Sequence, residues 1–117
     1  MKAVVVPVSG EITIQDLNTL QDIKGALDGG WLEALRLKDD AVAYIDEEGK
    51  LKGLPVNPRT MALAYSLNPN WTDFLVGPMV IFGTLNEQGQ HDGDEHDVPQ
   101  WVIDHFFVKD GQHQTRV

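Results

Sequence analysis

Residues 77–83 read Gly77-Pro78-Met79-Val80-Ile81-Phe82-Gly83, four consecutive apolar side chains set between turn formers. A short, uninterrupted apolar run of this kind predicts a strand covered on both faces, because neither set of alternating side chains is left for water. It is the expected centre of a sheet. The β-branched Val4-Val5-Val6 is its expected neighbour, since stiff χ1 angles favour an extended chain. Pro7 limits that strand, Ser9-Gly10 signals a turn, and Glu11-Ile12-Thr13-Ile14-Gln15 alternates polar with apolar. The first fifteen residues therefore predict a β-hairpin with Ile12 and Ile14 facing the core.

Outward from these strands the signals change period. Thr19 is a plausible N-cap with Asp22 in the first turn, and Leu20, Ile23, Ala26 and Leu27 fall on one helical face. Gly29-Gly30 ends that helix, with one glycine expected in the left-handed cap position. Trp31–Leu37 and Ala41–Ile45 predict two strands around an Asp39-Asp40 turn, and Lys50-Leu51-Lys52 a short third. Asn57-Pro58-Arg59-Thr60 is a helix start, with Met61, Leu63, Ala64 and Leu67 on its buried side and Asn68-Pro69-Asn70 as its stop.

Residues 86–97 carry no apolar side chain and predict a solvated acidic loop containing histidine. Asp97 then resembles an N-cap, Pro99 is permitted in a first turn, and Trp101, Val102, His105 and Phe106 share a helical face. The expected organisation is an α+β core over 1–85, a loop over 86–97, a C-terminal helix over 98–108 and a polar tail over 109–117. The core predicts a single mostly antiparallel sheet of about five strands with two helices on one face, to which the C-terminal helix is added.

At 117 residues and 42% hydrophobic side chains, the chain can build one core and not two. No apolar run approaches the ~20 residues of a membrane span, and the first residues lack the pattern of a signal peptide. With zero cysteines there are no disulfides, thiolate zinc sites or thiol nucleophiles, and a cytoplasmic setting is expected. The net charge is −9, which disfavours direct binding to nucleic acid and favours basic protein surfaces or small ligands held in a locally positive pocket. That charge is uneven: residues 1–85 carry seven basic and eleven acidic groups, residues 86–117 two and seven, and all four histidines lie in the second part.

Two segments are candidates for ligand chemistry. A helix N-terminus at Asn57, Arg59 and Thr60 would offer unpaired N–H groups, a guanidinium and a hydroxyl to an anion. His91, Asp94 and His96 are oxygen and imidazole donors in one acidic loop, although their spacing matches neither a calcium loop nor the paired histidines of zinc hydrolases. Asp39-Asp40 and Glu47-Glu48 lie in turns, where solvation prevents the pKa shifts that acid–base catalysis needs. His105, beside Trp101 and Phe106, predicts a core-edge histidine. No nucleophile motif, phosphate loop or dinucleotide fingerprint is present, and no cofactor is implied. The aromatic residues are expected in or near the core, and an exposed Trp would instead mark an interface.

Several segments carry a resemblance: Met1-Lys2-Ala3-Val4-Val5-Val6-Pro7, Trp31-Leu32-Glu33-Ala34-Leu35-Arg36-Leu37, Glu48 to Asn57, Ala62-Leu63-Ala64 and Val76 to Gly83. Over roughly residues 1–83 the chain resembles a set of small proteins catalogued only as a domain of unknown function, common in tailed phages of actinobacteria and in mobile elements. The resemblance implies a phage or mobile-element accessory protein and carries no catalytic residue across. With the acidic surface, it points to a non-enzymatic protein that binds a host protein with a basic surface and modulates it through its own acidic surface. The alternative is a module that binds or sequesters an anionic or nucleotide-like small molecule at Asn57–Thr60, alone or between subunits of a homo-oligomer.

Overall fold

The computed structural model describes residues 1–29 and 31–107, so Gly30 and the tail expected over 109–117 lie outside the described residues. Its strands are β1 (Lys2–Val6), β2 (Thr13–Asp16), β3 (Leu32–Lys38), β4 (Ala41–Asp46), β5 (Met79–Leu85) and β6 (His91–His96). Its helices are α1 (Leu20–Leu27), α2 (Pro58–Leu67) and α3 (Gln100–Phe106). This is the expected α+β class. The sheet runs β2-β1-β5-β4-β3, every pairing is antiparallel, and β6 joins at β5. The apolar run 79–82 is central and Val4–Val6 is its neighbour, with Val4 opposite Ile81 and Val6 opposite Met79.

Alternation along the central strands creates two cores. Val4, Val6, Met79 and Ile81 face one side and meet Leu63 and Ala64 of α2 and Val102 and Phe106 of α3. Ala3, Val5, Val80 and Phe82 face the other and meet Ile23 and Leu27 of α1. The expectation of the first two helices on one face is thus corrected. α2 shares its face with α3, and α1 lies opposite, because β5 is apolar at both parities and needs cover on both sides. Each buried Val, Leu, Ile, Phe or Met among them contributes about 1.5–3 kcal/mol.

Other departures have local causes. Ile12 is buried, but Ile14 is 45% exposed because β2 is the sheet edge and is left uncovered there. The left-handed cap after α1 is Asp28 (φ 53°), not Gly29. Gly29 serves close packing, since a Cβ there would stand 3.0 Å from Asp46 Oδ2. Lys50–Lys52 forms no third strand; Lys52 N–H donates to the Glu48 carbonyl and Leu54 N–H to that of Gly49, closing a turn.

The acidic segment departs most from expectation. Residues 91–96 form strand β6 rather than loop, joined to β5 by a turn in which Asn86 Oδ1 accepts from the N–H groups of Gln88 and Gln90. Three residues of β5 (Gly83 to Leu85) face six of β6 (His91 to His96), so β6 bulges outward at Gly93, φ 86°. β1 and β6 lie end to end along the same side of β5. Asp97 makes the join: its Oδ1 accepts from Lys2 N–H at 2.7 Å, and Val98 N–H donates to the Lys2 carbonyl. With its carboxylate so engaged, Asp97 does not cap α3, whose N-cap is Pro99. Val98, Val102 and Phe106 are buried in the main core, so the packing has no boundary at residue 85.

Candidate functional site

The Asn57–Thr60 corner forms as expected, but as a brace. Pro58 has no N–H, and Asn57 Oδ1 accepts from the N–H groups of Arg59 (3.1 Å) and Thr60 (3.2 Å). The helix N-terminus therefore has no free backbone donor for an anion. Asn57 Nδ2 donates to the carbonyls of Val6 (3.1 Å) and Gly77 (2.9 Å), tying α2 to the ends of β1 and the β5 approach. Asn57 and Thr60 are fully buried, and the Arg59 guanidinium donates to the Pro7 carbonyl.

The candidate metal ligands are not brought together. His91 Nε2 lies 2.7 Å from the Asp39 carbonyl, whereas His96 Nε2 is held by both oxygens of Asp92 at 2.8 and 2.9 Å. That imidazole and the Asp94 N–H hold the Asp92 carboxyl below its usual value. Asp94 lines a cleft with His91, a cleft that the His96–Asp92 pair does not line. Among the described residues, no three His, Asp or Glu side chains stand close enough to hold a metal. His105 is part-buried, edge-on to Phe106, and burial lowers its pKa.

The aromatic residues divide sharply. Trp101 donates from its ring to Asp40 and carries Lys38 over its face at 5.1 Å, and the Trp71 ring N–H donates to the Asp73 carbonyl. Trp31 is 64% exposed, and among the described residues nothing accepts from its indole. It enters β3 where the Glu47 N–H donates to its carbonyl. Glu33, Glu47, Lys50 and Phe74 line one shallow cavity of about 220 Å³ at this end of the sheet. Phe74 is 61% exposed and Leu51 is 88% exposed.

These apolar side chains stand on fixed backbone. The loop bearing Phe74 is held by Asp73, which pairs with Lys50 and accepts from the Phe74 N–H at 2.8 Å. The turn bearing Leu51 is held by Asp46, whose buried carboxylate accepts from Lys52 Nζ at 2.7 Å and from the Glu48 N–H at 2.9 Å. Lys52 first, then the Glu48 N–H, lower the Asp46 pKa against the opposing effect of burial. Glu33 of β3 and Glu47 of the turn after β4 line the cavity with Phe74, and Glu48 follows in the same turn.

A family model described as Domain of unknown function (DUF3846) matches residues 1–107. The chain belongs to this family. No curated protein and no solved structure matches it. The DUF3846 match runs well past the resemblance over residues 1–83, in keeping with a core that includes Val98, Val102 and Phe106. Among the described residues no helix of this DUF3846 domain is long and apolar enough to cross a membrane.

Sequence reasoning did not single out Asp46 and Lys52, which set the turn at the exposed end, or the pairing of Tyr44 with Glu95 at 2.9 Å across β4 and β6. A charged residue ending the apolar run 41–45 signals the first. The second has no local signal, because its partners are 51 positions apart.

Proposed function

We propose that the protein is a non-enzymatic accessory factor, of the kind carried by phages and mobile elements, that docks on a basic host protein and modulates it. The observation that carries this reading is Trp31, an indole left open to solvent at the entry to β3, at the end of the sheet where Phe74 and Leu51 are also exposed and where Glu33 and Glu47 line the cavity with Phe74. Trp is the residue whose burial most often dominates an interface, and a charged rim steers encounter with a surface of opposite sign. A net charge of −9 makes that surface basic.

The test compares affinity capture from host extract by the wild-type chain and by the double variant Trp31→Ala/Phe74→Ala. Retention of one protein by the wild type, loss of at least about tenfold in the double variant, and weakening with added salt are expected. Circular dichroism should be unchanged, because both side chains are exposed. Equal capture by the variant, or no specific capture by the wild type, refutes the reading.

A further inference from the structure

The β6 bulge overhangs the sheet on its α1 side and encloses a cleft of about 370 Å³. Its floor is apolar, formed by Ala34 of β3 and Val42 of β4, and its walls include Arg36, Tyr44, Asp94 and Glu95. Neighbouring residues of a regular strand point to opposite faces. At the bulge, with Gly93 in the left-handed region, Asp94 and Glu95 both line the same cleft.

The charged groups of the cleft are held differently. Asp39 engages the two basic ones, its carbonyl accepting from His91 Nε2 (2.7 Å) and its carboxylate lying 3.8 Å from Arg36; the same carbonyl accepts from Thr84 Oγ1 (2.8 Å). A carbonyl oxygen only accepts, so His91 carries a proton on Nε2. Asp39 thereby balances Arg36 locally. Tyr44 Oη donates to Glu95 Oε2 at 2.9 Å. Burial, and then Glu95, push the Tyr44 hydroxyl up to about 12, so it remains a donor and fixes the carboxylate. The Tyr44 ring is itself held edge-on to Phe82, centroids 6.1 Å apart. Among the described residues, no cation pairs with Asp94 or Glu95.

We propose that this cleft binds an organic cation, a primary ammonium or guanidinium head on a short aliphatic stem. The stem lies on Ala34 and Val42 beside the Tyr44 ring, and the head is neutralised by Asp94 and Glu95. An apolar floor with an aromatic wall and two carboxylates in the lining matches such an amphipathic cation, by stem burial, cation–π attraction and charge-assisted hydrogen bonds. The same chemistry is supplied by a free alkylamine or by a Lys or Arg side chain of a bound peptide. The site is independent of the Trp31 surface: Ala34 and Arg36 project from the face of β3 opposite to Glu33 and Leu35.

The test is an amide-resolved NMR titration of the full chain with three probes: cadaverine, agmatine, and the capped tripeptide Gly-Lys-Gly. Its norleucine analogue is the uncharged control. Saturable shifts at Thr84, Gly93 and Glu95 are expected, with affinity reduced at least about fivefold in Asp94→Asn and in Glu95→Gln. Ala34→Leu fills the floor while leaving the Tyr44–Glu95 bond in place, and should also abolish binding. Tighter binding of the free amines identifies a soluble amine as ligand, and tighter binding of the peptide identifies a partner's side chain. No saturable shift with any probe, equal binding of the norleucine control, or undiminished affinity in both carboxylate variants overturns the proposal.

Discussion

Gly83 of β5 lies directly beneath the backbone carbonyl of Asp97, so closely that a Cβ on residue 83 would fall on that oxygen. The contact sits where β1 ends and β6 begins along β5, and where Asp97 receives the Lys2 N–H. Absence of a side chain at one central position lets the acidic segment return to the sheet and carry α3 into the core.

Gly83→Ala should therefore separate β6 and α3 from the body. Overpacking against backbone, which has no alternative rotamer, predicts a loss of about 2–3 kcal/mol. Urea unfolding of the two proteins measures it, and amide exchange should show the loss concentrated in residues 91–106. A variant as stable as the wild type would contradict the close approach.

Asn57→Ala removes both an N-cap and two donors to buried carbonyls. The cap contributes about 0.5–2 kcal/mol, and leaving the Val6 and Gly77 carbonyls unsatisfied adds about 1–3 kcal/mol. Asn57→Asp keeps the cap acceptor but sets a buried carboxylate against the same two carbonyls. It should destabilise at least as much at neutral pH, a distinction that denaturation midpoints resolve. An Asp variant with wild-type stability would show that the two donated bonds are unimportant.

Asp46 predicts an acid-side dependence of stability. Its folded pKa is held below the usual 3.8, chiefly by Lys52, so its contribution is present in full above that unfolded value and fades as pH falls through the lower folded one. Asp46→Asn should be less stable than the wild type at pH 7, and the gap should narrow as pH drops below about 4. Thermal melts across pH 2.5–7 test this at chosen buffer points. A gap independent of pH would place the effect of the substitution outside ionisation.

Local signals were enough for many elements. Thr19 caps α1 with Asp22 in a reciprocal pair, and Asn57-Pro58 opens α2, because caps depend on neighbours within a turn. The run 79–82 is legible as central because uninterrupted apolar character demands two covered faces. β6 escaped that reading because its side chains are polar on both parities, and an exposed edge strand is held by backbone pairing that hydropathy does not register. Its turn was nonetheless available in Asn86-Glu87-Gln88-Gly89.

The candidate sites divide along the same line. Asn57, Arg59 and Thr60 were recognisable as a helix start, but only the fold shows that Asn57 Oδ1 occupies the donors an anion would need. Trp31 was one aromatic residue among several, and its exposure depends on what the turn after β4 and the loop before β5 do not cover.

Residue order alone settled the α+β class, the central strand, the principal helix starts and the acidic charge, since each arises from side-chain chemistry within a few positions. The tertiary structure decided that α1 lies opposite α2 and α3, that His91 and His96 part company, that Tyr44 meets Glu95, and that Trp31 faces water. Those outcomes depend on contacts between segments far apart in the chain, where packing volume and backbone pairing select the partner and local pattern carries no information about it.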